Sequence, residues 1–571
     1  MTINALSYDY TSTIEASFLI FSCLAQPHKP QYGGGIIINP KFDHGLEGWT
    51  VFGGAKIESR KSHDGNSFIV AHSRNKSYDC FSQKLHLEKG KLYTLSAWIQ
   101  VSKGSVLVTV SFKTKSGFMN AGGVLAESGC WTMLKGGLTV DTSGPAEIYF
   151  ESKNTDVEIW VDSVSLQSFT EEQWRVDQDK TIEQARKRNV KLHAVDSQGK
   201  SLVGAKVFIK QNRPGFPFGA AMDKTILNNP TYQKWFVSRF KVTTFENEMK
   251  WYSTEQNPGR EDYSTADAML KFAKGYGISV RGHNILWDDP NYQPSWIKSL
   301  SPDQLRAASE KRINSVVSKY AGQVIAWDVM NEDLHFSYFE DKLGSDFSRV
   351  VFQKVHQLDS KTLMFLNDFN TVEDSRDGKT VPGMYLKKLR EILGFFGNSV
   401  PIGIGLEGHY STPNIPYMRA AIDTLAAARM PIWLTEVDVS SNQNQVSSLA
   451  NFVTSGALYL EQILREAYAH PAVHGIILWT ARRPEGCYRM CLTDNSFRNL
   501  PTGDVVDKLL REWRQMSLED TTDENGFFEA SLVHGDYDVT ISHPSMNSST
   551  KSFATTTGTS QETTLHFQIK A

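Results

Sequence analysis

Two glutamates, Glu332 and Glu436, stand where apolar runs break off. Val324–Met330 is interrupted only by Asp328 and stops at Asn331-Glu332. A run of that length and composition reads as a strand covered on both faces. Residues 430–438, Met-Pro-Ile-Trp-Leu-Thr-Glu-Val-Asp, repeat the arrangement and deliver Glu436 at the end of a second such strand. A carboxylic acid and a carboxylate on either side of an acetal carbon are what glycosidic bond hydrolysis requires, at roughly 5 to 5.5 Å if one of them is to bond the sugar covalently. Either glutamate alone reads equally well as a salt-bridge partner at a strand tip. The joint pattern carries the chemistry.

Such a pair needs a scaffold that brings remote strand ends together. Strand signals at Phe218–Met222, Val242–Phe245, Ser279–His283, Val324–Met330, Thr362–Asn367, Ile402–Leu406, Pro431–Thr435 and Gly475–Trp479 alternate with helical ones. Eight β segments with helices between them predict a (β/α)8 TIM barrel over residues 215–519, with its chemistry on the loops at the strands' carboxyl ends.

The remaining sequence divides around that barrel, as 571 residues are too many for one core. Residues 1–33 read as a tail or degenerate export signal, with a short apolar core at 16–25 and no Lys or Arg before Lys29. Residues 34–169 alternate in short segments separated by Gly, Ser, Asn and Asp, which predicts an all-β sandwich of jelly-roll type. Residues 170–189 read as a helical connector. A hairpin with a Ser-Gln-Gly turn is expected from residue 190 to 209, and residues 190–214 are expected to join 520–571 in one small β-sandwich flanking the inserted barrel. The net charge of -3 provides no basic field for nucleic acid and no polybasic patch for a membrane. Of the five cysteines, Cys487 is close enough to Cys491 to pair, and Cys80 can reach Cys130 within one domain; an odd count fits neither a disulfide-dense scaffold nor a zinc site.

The strand tips carry more than the two acids. They end in Glu246-Asn247-Glu248-Met249-Lys250-Trp251, in Arg281-Gly282-His283-Asn284-Ile285-Leu286-Trp287, in Asn367-Asp368-Phe369-Asn370, in Glu407-Gly408-His409 and in Trp479. On these motifs residues 216–513 resemble glycoside hydrolase family ten, the retaining endo-β-1,4-xylanases, particularly the plant type. The opening Asn39-Pro40-Lys41-Phe42 through Gly48-Trp49 and the close Trp160–Leu166 resemble family twenty-two carbohydrate-binding modules. The resemblance implies Glu332 as general acid/base, Glu436 as nucleophile and Asn331 on the sugar 2-hydroxyl. It implies His409 orienting the nucleophile with Asp438 behind it, and Glu246, Asn247, Lys250 and His283 on the glycone sugars. Trp287 and Trp479 would wall the cleavage point, with Glu407 and Tyr488 lining the cleft. In the sandwich, Tyr78, Tyr149 and Glu151 match ligand-contacting positions. Three departures stand out: Glu407 where many relatives have Gln, Asp288 where a second His is common, and Tyr488 for a late tryptophan.

The family likeness implies no cofactor for catalysis and leaves a structural calcium in the N-terminal domain open. His283 and His409 match no compact metal-ligand spacing, so no metal site is expected. The expected partner is xylan or xylo-oligosaccharide, handled by a secreted monomer in the extracellular space or cell wall. Two rivals share the sequence: a transxylosylase that passes the xylosyl chain to another sugar, and a non-catalytic glycan-binding wall protein, against which the intact pair of glutamates speaks.

Overall fold

Strands buried on both faces decide the middle of the chain. In the computed structural model, which describes residues 23–394, 400–440, 449–482, 486–544, 546–555 and 562–569, they are β1 (Phe218–Met222), β2 (Val242–Phe245), β3 (Ser279–Gly282), β4 (Ala326–Asn331), β5 (Leu363–Asp368), β6 (Ile402–Tyr410), β7 (Ile432–Val439) and β8 (Val473–Leu478). Each pairs in parallel with the next, and β8 pairs with β1, so the barrel closes and has no edge. The expected strands are all present. The chief difference is that β6 and β7 run on through Glu407–Tyr410 and Glu436–Val439, where polar residues are buried in the pairing and the sequence pattern looks like a break.

Val242, Ala326, Phe365, Trp433 and Ile477 plug the barrel interior. Phe365 meets Trp433 edge to face at 6.0 Å, and Gly475 leaves room for that indole, since a Cβ there would lie 2.5 Å from the ring. On this plug rests a fully buried ion pair, Arg281 with Asp328, its guanidinium 4.6 Å from the Phe365 centroid. The polar site begins there.

The N-terminal sandwich consists of two five-stranded sheets, each wholly antiparallel. Inward residues such as Ile69, Phe81, Leu95, Ile99, Phe112, Ile148 and Val161 fill it. Two expectations are corrected here. The segment from Cys23 onward is no tail: Cys23 is disulfide-bonded to Cys130, Leu24 and Trp131 exchange backbone hydrogen bonds at 2.8 and 2.7 Å, and His28 lies edge-on to Trp98. Cys130 lies where this segment crosses the sheet, so it pairs with Cys23, and Cys80 is free and buried. Residues 16–22 of the apolar run lie outside the described residues.

The connector helix, Glu171–Arg186, starts at a capping box between Thr170 and Gln173 and gives way directly to the strand Lys187–Val195. That strand opens on Lys-Arg-Asn, which carries no apolar alternation, so its true start was hidden. The expected hairpin is also corrected. Lys187–Val195 lies between Phe527–Val533 and Glu562–Gln568, whereas Lys206–Pro214 lies in a second sheet between Ser517–Thr521 and Gly535–His543. Each strand has a single apolar face, and Val190, Leu192 and Ala194 bury theirs with Val207 and Ile209 in one core. Among the described residues no helix is long and apolar enough to cross a membrane.

The sandwich is fastened to the barrel helix Ile415–Ala426. Gly137 lies against Pro416, where a Cβ would come within 2.4 Å of the ring, and its carbonyl accepts from Asn414 Nδ2 at 3.0 Å. Lys135 Nζ is 2.8 Å from Asp423 Oδ2, and His470 Nε2 is 3.0 Å from Asp423 Oδ1. Burial works against the Asp423 charge, but Lys135 and His470 outweigh it and hold the carboxyl well below the usual range. A depressed carboxylate contributes stability above its unfolded pKa and loses it in acid. The melting temperature should therefore fall as pH drops below about 4, more steeply in wild type than in Lys135→Met. Gly137→Val should cost about 1–3 kcal/mol by overpacking this contact, read by thermal melting.

Candidate active site

Strand β4 ends on Asn331-Glu332, and the backbone of Glu332 turns into the left-handed region at φ 59°. A non-glycine residue there costs roughly 1–3 kcal/mol unless its surroundings fix it. Its N–H donates to the Asn367 carbonyl at 2.8 Å, and its own carbonyl accepts from Phe336 N at 3.0 Å. The carboxyl is 9% exposed and accepts one side-chain hydrogen bond, from Trp287 Nε1 at 2.8 Å. Burial pushes Glu332 up to about 8; the indole N–H opposes this, and the charges of Asp368 and Glu436 add to it. It is a carboxylic acid at neutral pH.

Glu436 on β7 is as deeply buried and differs in its partners. His409 Nε2 lies 3.5 Å from both Glu436 Oε2 and Glu407 Oε2, and its Nδ1 lies 3.0 Å from Asp438 Oδ2. Burial disfavours the imidazolium, yet the three carboxyl groups hold it protonated well above the usual histidine range. Burial likewise opposes ionisation of Glu436, and the His409 hydrogen bond with the Lys250 charge outweighs it, so Glu436 sits below the usual carboxylate range. For Glu407 the same imidazolium is outweighed. Burial, then the charges of Glu436 and Glu332, drive it well above that range. It stands as a neutral acid.

His283 joins the site to the barrel plug. Its Nδ1 is 2.8 Å from Asp328 Oδ2, and Asp328, paired with Arg281, can only accept, so Nδ1 carries the proton. Burial, then the Lys250 charge, lowers its pKa, and Nε2 faces Glu436 Oε1 at 3.8 Å. Lys250 Nζ lies 4.3 Å from the Trp287 centroid and 5.8 Å from Trp479. Trp479 is edge-on to His283 at 5.4 Å. Asn247 Oδ1 accepts from Tyr252 at 2.6 Å, and Glu246 is buried at the end of β2. Tyr488 is 59% exposed, with its ring 6.4 Å from that of His409.

Several residues of the constellation were assigned no role from the sequence, although Asn367, Asp368 and Asp288 stand in or beside the strand-tip motifs. Asn367 Nδ2 reaches Glu407 Oε1 at 2.8 Å, Asn331 Oδ1 at 2.9 Å and Glu436 Oε1 at 3.3 Å, tying three strand tips with one amide. Asp368 holds His335 Nδ1, whose other nitrogen reaches Asp377 at 2.7 Å. Tyr292 stacks on Trp287 at 4.1 Å. Asp288, the departure next to Trp287, is buried; its Oδ1 accepts from Phe339 N at 2.9 Å, so it braces the helix Tyr338–Leu343. The only available hint was polarity at a strand end.

Glu407, His409 and Glu436 are the one group of three His, Cys, Asp or Glu donors that converges among the described residues, within 4.8 Å of one another. A protonated imidazole is no metal ligand, and the Lys250 ammonium opposes a second cation. The sandwich residues Tyr78, Tyr149 and Glu151 lie apart from this cleft. Tyr149 is covered by Phe52, stacked at 4.2 Å, and Glu151 accepts from Ser111 at 2.9 Å. The exposed rings of that face are Tyr78 and Phe118.

The sequence pattern of glycosyl hydrolase family 10 matches residues 208–486, and that of a carbohydrate binding domain matches residues 34–157. Among curated relatives, endo-1,4-beta-xylanase 5 of Arabidopsis thaliana is 42% identical over 83% of this chain and 83% of its own length. Endo-1,4-beta-xylanase 5-like is 41% identical over 86% and 85%, and endo-1,4-beta-xylanase 4 is 42% identical over 82% and 84%, both from the same plant.

Because the Glu436 charge helps to keep Glu332 protonated, Glu436→Gln should lower the Glu332 pKa by about one unit. Carboxyl-13C glutamate NMR titration of the two proteins reads the shift.

Proposed function

Since the chain belongs to glycosyl hydrolase family 10, we propose that it hydrolyses internal β-1,4 bonds of xylan with retention, through a covalent glycosyl-enzyme. The observation that carries this reading is the different company of two buried carboxyl groups in one cleft: Glu332 accepts only the Trp287 indole N–H, whereas Glu436 faces the His409 and His283 rings, which favours a proton on the first and a charge on the second. In the first step Glu436 attacks the anomeric carbon, the glycosidic C–O bond breaks, and Glu332 gives its proton to the departing oxygen. Ester formation removes the Glu436 charge. Glu332, now a carboxylate, takes a proton from water as that water opens the ester, and both groups return to their starting states.

The surroundings serve each step. His409 lines up Glu436, and Asn331, held by Asn367, meets the sugar 2-hydroxyl, where a hydrogen bond strengthens in the transition state. Glu246, Asn247, Lys250 and His283 bind the glycone sugars. Trp287 and Trp479, bridged by the Lys250 ammonium, close the wall where a hexose would project its hydroxymethyl group, which favours a pentose chain. Glu407 stays neutral, and Tyr488 offers an open ring to the leaving side of the chain. The sandwich takes the same glycan on the face that carries Tyr78 and Phe118. The substrate places the protein's work in the cell wall, and every group the mechanism uses lies on one chain, so a monomer suffices.

The test is product analysis from a defined xylo-oligosaccharide in 18O-labelled water. The first-formed product should be the β-anomer by NMR and carry the label at its new reducing end. Longer or hybrid products in the presence of an acceptor sugar would mark transfer as the dominant route. Glu436→Gln should lower kcat by at least about a thousandfold and Glu332→Gln by about a hundredfold or more, the latter least on substrates with good leaving groups. Turnover equal to wild type in Glu436→Gln would refute the mechanism.

A further inference from the structure

The loop after β8 is closed on itself by the disulfide Cys487–Cys491 and anchored by Met490, which is buried in the barrel core. Between these fixed points Arg489 turns inward. Its Nη2 donates to the Tyr410 carbonyl at 3.1 Å and to the His409 carbonyl at 3.3 Å, at the end of β6. Its Nε lies 2.9 Å from Asp438 Oδ1, off the line of a hydrogen bond, so this contact is ionic. Asp438 is fully buried, and its other oxygen holds His409 Nδ1. A continuous chain thus runs from Arg489 through Asp438 and His409 to Glu436.

The charge count explains what the arginine supplies. His409 is one cation shared between the carboxylates of Asp438 and Glu436, with the Glu407 acid beside it. Without a second partner, a buried Asp438 would draw the imidazolium charge to itself and add negative potential to the site. With Arg489 in place, Asp438 is neutralised from outside the cleft, and the Nε2 edge of His409 remains directed at Glu436. We propose that Arg489 is a positioning residue for the reaction: it compensates Asp438 and fixes the end of β6, and thereby holds His409 aligned on Glu436. The inference rests on the reading of Glu436 as the nucleophile given above.

Other charged or titratable groups near Glu436 and His409 are Glu332 from β4 with Asp368 beside it, His283 after β3, Glu407 from β6, Lys250 after β2, and Glu373, whose Oε1 accepts from His409 N at 3.4 Å. Removing a positive charge from the edge of this set moves every carboxyl in it to higher pKa. The variant Arg489→Gln keeps a neutral N–H donor on a shorter side chain and removes the charge. Arg489→Lys restores the charge.

In full-length protein, carboxyl-13C glutamate NMR of Arg489→Gln should show Glu436 titrating about half a pH unit or more above wild type, and Arg489→Lys should return most of the shift. On xylan, kcat should fall about tenfold or more with little change in KM, and both limbs of the pH profile should move upward. The titration needs no turnover, so a wild type inactive on xylan would sink the functional reading while the NMR still decides the role of Arg489. A Glu436 titration unmoved in Arg489→Gln, or moved equally in Arg489→Lys, would overturn the proposal.

Discussion

The barrel mouth holds more carboxyl groups than a dry site can ionise. Glu332, Glu407, Glu436, Asp328, Asp368 and Asp438 are each no more than 9% exposed. Charges brought together away from water must be paired or give up their charge. Cationic partners are few: Arg281 serves Asp328, His335 serves Asp368, His409 leans on Glu436, Arg489 meets Asp438, and Lys250 stands opposite. What remains unpaired is protonated. The difference in charge between Glu332 and Glu436 follows from that shortage, since one glutamate has an imidazolium and the other only an indole N–H.

This arrangement depends on a rigid base. The apolar plug beneath Arg281 and Asp328 excludes water from below, and closure of the barrel fixes each strand tip against its neighbours. The left-handed turn at Glu332 is held by hydrogen bonds on both sides, and the single amide of Asn367 ties β4, β6 and β7 through side chains that would otherwise repel or drift apart. Positioning is therefore distributed over strands rather than vested in a mobile loop, which suits a reaction sensitive to small displacements.

Around the barrel, remote segments are fastened more firmly than domain boundaries suggest. Arg186, at the end of the connector helix, donates to the carbonyls of Tyr468, His470 and Val473 and so locks the small β-sandwich to the barrel's last helix-strand turn. Lys135 and Gly137 lock the N-terminal sandwich to another helix. A sandwich face held in this way keeps a fixed relation to the cleft, in contrast to modules on flexible linkers.

The eight strands were legible because double-sided burial leaves an unbroken apolar run, and the two glutamates because each stands where such a run ends. Strand pairing partners were less so. The turn at Ser197-Gln198-Gly199 was visible, yet alternation alone cannot say whether two one-faced strands share a sheet or face each other across a core. Cys130 found Cys23 because the path of the N-terminal segment brings it there, a fact that spacing does not encode. Asn367, Asp368 and Arg489 are ordinary polar residues in the sequence; they matter through what they touch.

The sequence by itself determined which residues are apolar on which period, and hence the barrel, the sandwich and the positions of the two acids. Only the tertiary structure decided which acid keeps its proton. A side chain's charge in a buried site is set by burial and by its neighbours in space, and those neighbours come from five different strands.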